Sequence, residues 1–155
     1  MGSLEKEIAF KLRELNETLS VAESCTGGSI CSRIVSNEGA STYFKGGVVC
    51  YSTESKINIL GIDAKIINDY SVVSKEVCES MAISVKNLFN SGFSIATTGN
   101  AGPGKGDSNA EIGKVFISVA TENNVNTYEL NFDGDRKKVI NNIILKALEL
   151  LNDNL

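Results

Sequence analysis

The sequence predicts an α/β fold, a three-layer α/β/α sandwich with a mostly parallel mixed sheet and an antiparallel edge hairpin. Three observations lead there. Segments with apolar residues three and four apart alternate with short apolar runs of strand length. Two glycine-rich runs, Ser24-Cys25-Thr26-Gly27-Gly28 and Thr98-Gly99-Asn100-Ala101-Gly102-Pro103-Gly104-Lys105-Gly106, each follow such an apolar run. Finally, two strand-like segments near the C-terminus are separated by little more than Asn123-Asn124, a spacing that favours antiparallel pairing.

Residues 4 to 16 place Ile8, Leu12 and Leu15 on one face among strong helix formers, which predicts an amphipathic helix. Leu19 to Ala22 reads as a strand entering the core. Thr26 is the expected N-cap of a helix over 27 to 35, with Ile30 and Ile34 inward and Gly39 beyond its end. Phe44 to Tyr51 reads as a strand in which Gly46 and Gly47 mark a bend or a close backbone approach. A short helix follows over 54 to 60, closed by Gly61. Ser74 caps the clearest helix, with Val77, Met81, Val85 and Leu88 recurring on one face. Phe93 to Thr97 and Lys114 to Ala120 are strands bracketing the second glycine loop, and Asn126 to Phe132 completes the hairpin. Asp135 caps a last helix carrying Val139, Ile143, Ala147 and Leu151.

With 155 residues and 42% apolar content the chain supports one substantial core, so residues 1 to 155 are expected to form a single domain. A net charge of -4 without a long basic run argues against a nucleic-acid partner. The one basic cluster, Arg136-Lys137-Lys138, fits the solvated first turn of the last helix. No stretch approaches the roughly 20 apolar residues that span a bilayer, and no apolar signal segment opens the sequence, so a cytoplasmic protein without a membrane partner is expected. Met1-Gly2 does not complete a myristoylation pattern, because Lys6 stands where Ser or Thr is needed. The four cysteines, Cys25, Cys31, Cys50 and Cys78, show no CxxC spacing and are expected to be reduced; with no histidine in the chain, no zinc or other metal site is expected.

The absence of histidine also restricts the chemistry, since any base must be a carboxylate, a tyrosine or a lysine. Residues 99 to 105 fit the start of a phosphate-binding P-loop, but Gly106 replaces the hydroxyl residue required for magnesium and the following segment leads into a strand, which argues against an ATPase of that type and leaves a loop whose backbone N–H groups can hold an anion or shape a site rim. Neither glycine run gives a dinucleotide-binding fingerprint. The loop after the first strand is more informative. A serine followed by Thr-Gly-Gly at a strand-to-helix turn presents one side chain beside several backbone N–H groups, the arrangement a nucleophile and its oxyanion require. Lys56, early in a short helix, is the candidate base if burial keeps its amine neutral. Glu54 lies two residues away and does not face it on a helix. Cys25 is the rival nucleophile, and a structural serine beside an exposed lysine is the plain alternative to both.

Taken together, Leu19 to Gly28 (LSVAESCTGG), Gly46 to Lys56 (GGVVCYSTESK) with Leu60-Gly61, Val73-Ser74, Thr98 to Pro103 with Gly113-Lys114-Val115, and Gly134-Asp135-Arg136 resemble the C-terminal domain of the CinA competence/damage-inducible family. Members acting alone are similar to nicotinamide-nucleotide amidohydrolase, or nicotinamide mononucleotide deamidase. The resemblance implies Ser24 as the catalytic serine, Lys56 as its activating base and Tyr51 as a tyrosine near the pair. It implies substrate-binding roles for Thr26, Gly27 and Gly28, for Thr98, Gly99, Ala101 and Gly102, and for Arg136; Lys105 is a further candidate for the substrate phosphate. It implies hydrolysis of a phosphorylated pyridine nucleotide without a cofactor, in a homo-oligomer, most simply a dimer. A non-catalytic pyridine-nucleotide-binding or interaction domain of the same fold is the alternative. Two departures stand out: Asn100 replaces the usual isoleucine, and the Lys-Pro pair common before Gly113 is missing, so a reshaped loop is expected. Two-domain members add an N-terminal domain resembling molybdopterin-binding proteins, which has no counterpart in these residues.

Overall fold

The computed structural model describes residues 3 to 155; Met1 and Gly2, and with them the acylation question, lie outside the described residues. In chain order the elements are α1 (Leu4–Glu14), β1 (Leu19–Glu23), α2 (Ser29–Val35), a 3-10 turn (Ala40–Thr42), β2 (Phe44–Val49), α3 (Thr53–Asn58), α4 (Ala64–Tyr70), α5 (Lys75–Phe89), β3 (Phe93–Gly99), β4 (Lys114–Ala120), β5 (Val125–Asn131) and α6 (Arg136–Asn154). The five strands form one sheet in the order β2-β1-β3-β4-β5. β1 pairs parallel with both β2 and β3, whereas β4 pairs antiparallel with β3 and with β5. Only β4 therefore runs against the other strands, and the architecture is the three-layer sandwich with an antiparallel edge hairpin that the sequence predicts.

Each face of the sheet buries its own apolar layer. On one side α1, α2 and α6 supply Ile8, Leu12, Ile30, Ile34, Ile143 and Leu148 against Leu19, Val21, Ile95 and Ile117. On the other, α5 supplies Val77, Cys78, Met81, Ala82 and Val85 against Ala22, Ala96 and Phe116. The small strand residues on that second side let α5 approach closely. Two serines then satisfy their buried hydroxyls on its backbone: Ser20 Oγ donates to the Val85 carbonyl at 3.2 Å and Ser94 Oγ to the Ala82 carbonyl at 2.6 Å.

Local differences from the sequence reading have physical reasons. The helix expected from residue 27 begins at Ser29, because Gly27 and Gly28 adopt left-handed backbone (φ 59° and 100°) and form the turn before it. Its N-cap is Gly28, while the Thr26 hydroxyl lies 2.9 Å from the Thr97 hydroxyl across the sheet end. Helix α4 was not legible because its seven residues bury little besides Ile67. Leu15 and Leu88, expected inward, are 49% and 55% exposed. The close approach expected at Gly47 is present: a Cβ there would come within 2.9 Å of the Val21 carbonyl oxygen.

The placement of the crossovers matters most for the site. The chain leaving β1 turns to the face holding α2, and the chain leaving β2 turns to the face holding α3 and α5. Where adjacent parallel strands send their connections to opposite faces, a crevice opens at their carboxyl ends. Ser24 follows β1 directly at that crevice, and Lys56 follows β2. No helix among the described residues is long and apolar enough to cross a membrane.

Candidate active site

Ser24 is held on both flanks by the sheet. Its amide donates to the Thr97 carbonyl at 3.2 Å, while the amide of Cys50 donates to the Glu23 carbonyl at 2.8 Å, which continues the β1–β2 ladder past the last strand residue. Glu23, the residue before Ser24, is fully buried and turns its carboxylate beneath the start of α2, accepting from the amides of Ile30 at 2.9 Å and Cys31 at 3.0 Å. An acidic side chain ending an otherwise apolar strand was the signal for this role, and the sequence reading assigned it none. By satisfying free helix amides from below, Glu23 fixes α2 relative to β1 and so shapes the Ser24–Gly28 turn. The amides of Cys25, Thr26 and Gly28 in that turn have no backbone acceptor among the described residues.

Lys56 enters from α3. Ser52 caps this short helix by accepting from the Ser55 amide at 3.0 Å, and the side chain of Lys56 turns back towards the helix start, as helix geometry favours. The result is a lysine only 1% exposed. Its Nζ lies 2.9 Å from Ser24 Oγ, 2.7 Å from the Cys50 carbonyl and 3.2 Å from the Tyr51 carbonyl. Glu54 is exposed and forms no ion pair with it. Burial pulls the Lys56 ammonium below its ordinary 10.5, with Cys50, Cys25 and then Asp107 acting in the opposite direction.

The geometry accommodates both protonation states. An ammonium donates to all three oxygens. A neutral amine keeps two hydrogens for the Cys50 and Tyr51 carbonyls and directs its lone pair at the Ser24 hydroxyl, which then donates. Burial also acts on the rival thiol: it pushes Cys25 up to about 12, leaving it protonated at neutral pH. Cys25, Cys31, Cys50 and Cys78 are all free thiols.

Above this pair lies a cleft of roughly 220 Å³ bounded by the β3–β4 loop, residues 100 to 113. Of the residues singled out from sequence, Ser24, Lys56, Tyr51, Thr98, Gly99 and Ala101 line it, and so do Lys105 and Arg136. Thr26, Gly27, Gly28 and Gly102, expected to bind substrate, are not among the residues that line it. The Thr98 hydroxyl is turned away, donating to the Val72 carbonyl at 2.8 Å. Tyr51 is 60% exposed, and its hydroxyl accepts from Arg136 Nη2 at 3.0 Å; the Tyr51 carbonyl, not the hydroxyl, contacts Lys56. Arg136 Nη1 donates to the Gly102 carbonyl at 2.8 Å, so the arginine clips the loop to Tyr51. Lys105 pairs with Glu111 at 3.2 Å on the solvent side.

Asn100 explains how the altered loop holds its shape. Its Oδ1 accepts from the Gly102 amide at 3.2 Å and its Nδ2 donates to the Ala110 carbonyl at 3.2 Å, tying both limbs of the loop to one buried side chain. The loop also brings Asp107 and Ser108 to the cleft, two residues the sequence reading did not select. Among the described residues, no group of three or more cysteine, aspartate and glutamate side chains is gathered as a metal ligand set.

A strand-end serine joined to a buried lysine at the crevice of a doubly wound sheet defines the class of α/β proteins with a hydroxyl–amine site at a topological switch point. The chain belongs to the CinA family: the model of the CinA C-terminal domain matches residues 1–155. A CinA-like protein of Flavobacterium psychrophilum is 50% identical over 149 residues, 96% of this chain and 36% of that protein. One from Fervidobacterium nodosum is 43% identical over 136 residues, 88% of this chain and 33% of that protein. The chain thus spans about a third of the length of these curated relatives. Among solved structures, a competence or damage-inducible protein from Enterobacter asburiae superposes with a TM-score of 0.94 at 30% identity, covering 97% of this chain and 95% of that one. A CinA superfamily protein from Escherichia coli gives 0.95 at 28% identity, covering 98% and 88%.

Proposed function

We propose that this chain hydrolyses the carboxamide of nicotinamide mononucleotide to nicotinate mononucleotide and ammonia, with Ser24 as nucleophile and Lys56 as base. The observation that carries the proposal is the 2.9 Å contact between Ser24 Oγ and a lysine amine that is buried without a paired carboxylate. Family membership supports the same reading. As Ser24 Oγ bonds to the carboxamide carbon, its proton passes to neutral Lys56, and the carbonyl π pair moves onto oxygen. The Cys25 amide, which has no backbone acceptor and belongs to a residue lining the cleft, donates to that oxyanion. The Lys56 ammonium then gives its proton to the departing nitrogen as the C–N bond breaks, releasing ammonia and leaving an ester on Ser24. Water attacks the ester carbon, gives one proton to Lys56, and the Ser24 alkoxide recovers that proton as it leaves.

Tyr51 and Arg136 have a supporting role in this scheme. The Tyr51 carbonyl orients the amine, and its hydroxyl with the Arg136 guanidinium forms a polar edge suited to an anionic phosphate. The protein is proposed to act as a homodimer in the cytoplasm. Ammonia release from nicotinamide mononucleotide by the Ser24→Ala, Lys56→Ala and Cys25→Ala variants tests the chemistry. The first two are expected to lose turnover and the third to retain it. Turnover lost only in Cys25→Ala, or close to normal in Lys56→Ala, would overturn the assignment.

A further inference from the structure

Among the described residues the cleft is lined by one acidic side chain, which the proposed chemistry leaves unused. Asp107 lines it together with Ser24 and Lys56, and its carboxylate has no ion pair or hydrogen bond among the described residues. Each neighbouring basic side chain is engaged elsewhere. Lys105 pairs with Glu111 at 3.2 Å, Arg136 donates to the Gly102 carbonyl and the Tyr51 hydroxyl, and Lys56 donates to Ser24, Cys50 and Tyr51. The side chain itself is exposed, while the backbone next to it is tied down. The next residue, Ser108, is 9% exposed; its amide donates to the Lys105 carbonyl at 3.2 Å and its hydroxyl accepts from the Ala110 amide at 2.9 Å. The Asn109 amide donates to the Ser71 hydroxyl at 3.2 Å, tying the same stretch to the end of α4.

We infer that Asp107 is a specificity-determining residue that selects substrates whose carboxamide-bearing ring carries a positive charge, such as an N-ribosyl pyridinium, over neutral-ring analogues. A carboxylate on the cleft lining with no ion-pair partner favours a ligand that brings the missing charge. The ring nitrogen of an N-substituted nicotinamide is cationic and belongs to the same ring as the carboxamide, so a substrate placed for attack by Ser24 brings that charge into the cleft with it. Electrostatic contact between Asp107 and the reaction centre is consistent with the upward influence of this carboxylate on Lys56. The inference rests on the proposed hydrolysis for its substrate class, but its test reads binding.

The experiment uses the full chain carrying Ser24→Ala, so that ligands bind without turnover. Calorimetric titration at low salt compares nicotinamide mononucleotide, with its pyridinium ring, and the reduced dihydro form, which has the same phosphoribosyl group and a neutral ring. The pyridinium form is expected to bind about fivefold more tightly, the upper end for one exposed, screened charge pair. Adding Asp107→Asn is expected to reduce that preference to about twofold or less, and Asp107→Glu to retain most of it. A preference unchanged by Asp107→Asn, no preference in the parent variant, or no binding of either form would overturn the inference. Wild-type ammonia release with a preference insensitive to residue 107 leaves the hydrolase standing and removes the selector. A preference that depends on residue 107 in a protein that releases no ammonia does the reverse.

Discussion

Ser24 and Lys56, at the floor of the cleft, are 7% and 1% exposed and are held by strand ends and backbone carbonyls. Lys105 and Asp107, on the rim, are exposed and sit on a loop tied down through Asn100, Ser71 and Arg136. The floor is part of the sheet and its position follows from the topology, whereas the rim is an attachment whose side chains can change without disturbing a strand. In the proposed reading, bond-making therefore belongs to the floor and substrate choice to the rim, so variants in the two regions should fail in different ways.

The largest separation is expected from Lys56→Ala. Removing the base should lower kcat by about 10³-fold with little change in KM, measured by ammonia release, while circular dichroism shows a folded protein. Arg136→Ala, at the rim, should show the opposite pattern: KM raised by roughly tenfold with kcat changed much less, because the arginine holds Gly102 and Tyr51 and does not touch Ser24 or Lys56. A large kcat loss for Arg136→Ala would erase the division between floor and rim.

A stability variant sharpens the same contrast. Glu23→Gln replaces a fully buried carboxylate that accepts two α2 amides by a group with only one acceptor oxygen. It is expected to cost about 1–3 kcal/mol in urea unfolding and to reduce turnover as the Ser24–Gly28 turn loosens. Asp107→Asn, exposed on the rim, should leave the urea midpoint in place.

The pH dependence gives the smallest effect and connects the two regions. Because the proposed mechanism uses Lys56 as the neutral amine and its native value lies below 10.5, activity should rise with pH through that lowered value and then level off. The unfolded chain holds the lysine proton more tightly than the native one. Lys56 therefore contributes stability that grows as pH rises from its native value towards 10.5 and is lost as pH falls through the native value. Asp107 acts upward on Lys56, so Asp107→Asn should move the acid limb of kcat/KM to lower pH. An acid limb moved to higher pH would contradict the electrostatic link between rim and floor.

The sequence carried the floor more fully than the rim. Periodicity with Ser74 and Asp135 as caps located α5 and α6, and apolar runs located β1 to β4, because these elements pack apolar residues into the core; β5, with no fully buried residue, was located by the Asn123-Asn124 turn before it. The strand-to-helix glycine turn and the missing histidine made Ser24 and Lys56 candidates and the family resemblance paired them, but their contact depends on which face each crossover takes. Spacing along a chain does not encode that choice. Asn100 appeared only as a departure from a pattern, since its role needs the 3.2 Å bond to Ala110, ten residues on. Asp107 and Ser108 gave no periodic or capping signal, because the loop that presents them buries little and is shaped by individual side-chain bonds.

The protonation of Lys56 in the folded protein bears most directly on this account. Heteronuclear NMR titration of the lysine side chains, with the Lys56 signal assigned by its absence in Lys56→Ala, reads it in the free protein. One lysine is expected to titrate clearly below the others and to move upward in Ser24→Ala by far less than the separation itself. A Lys56 signal titrating with the surface lysines would contradict it.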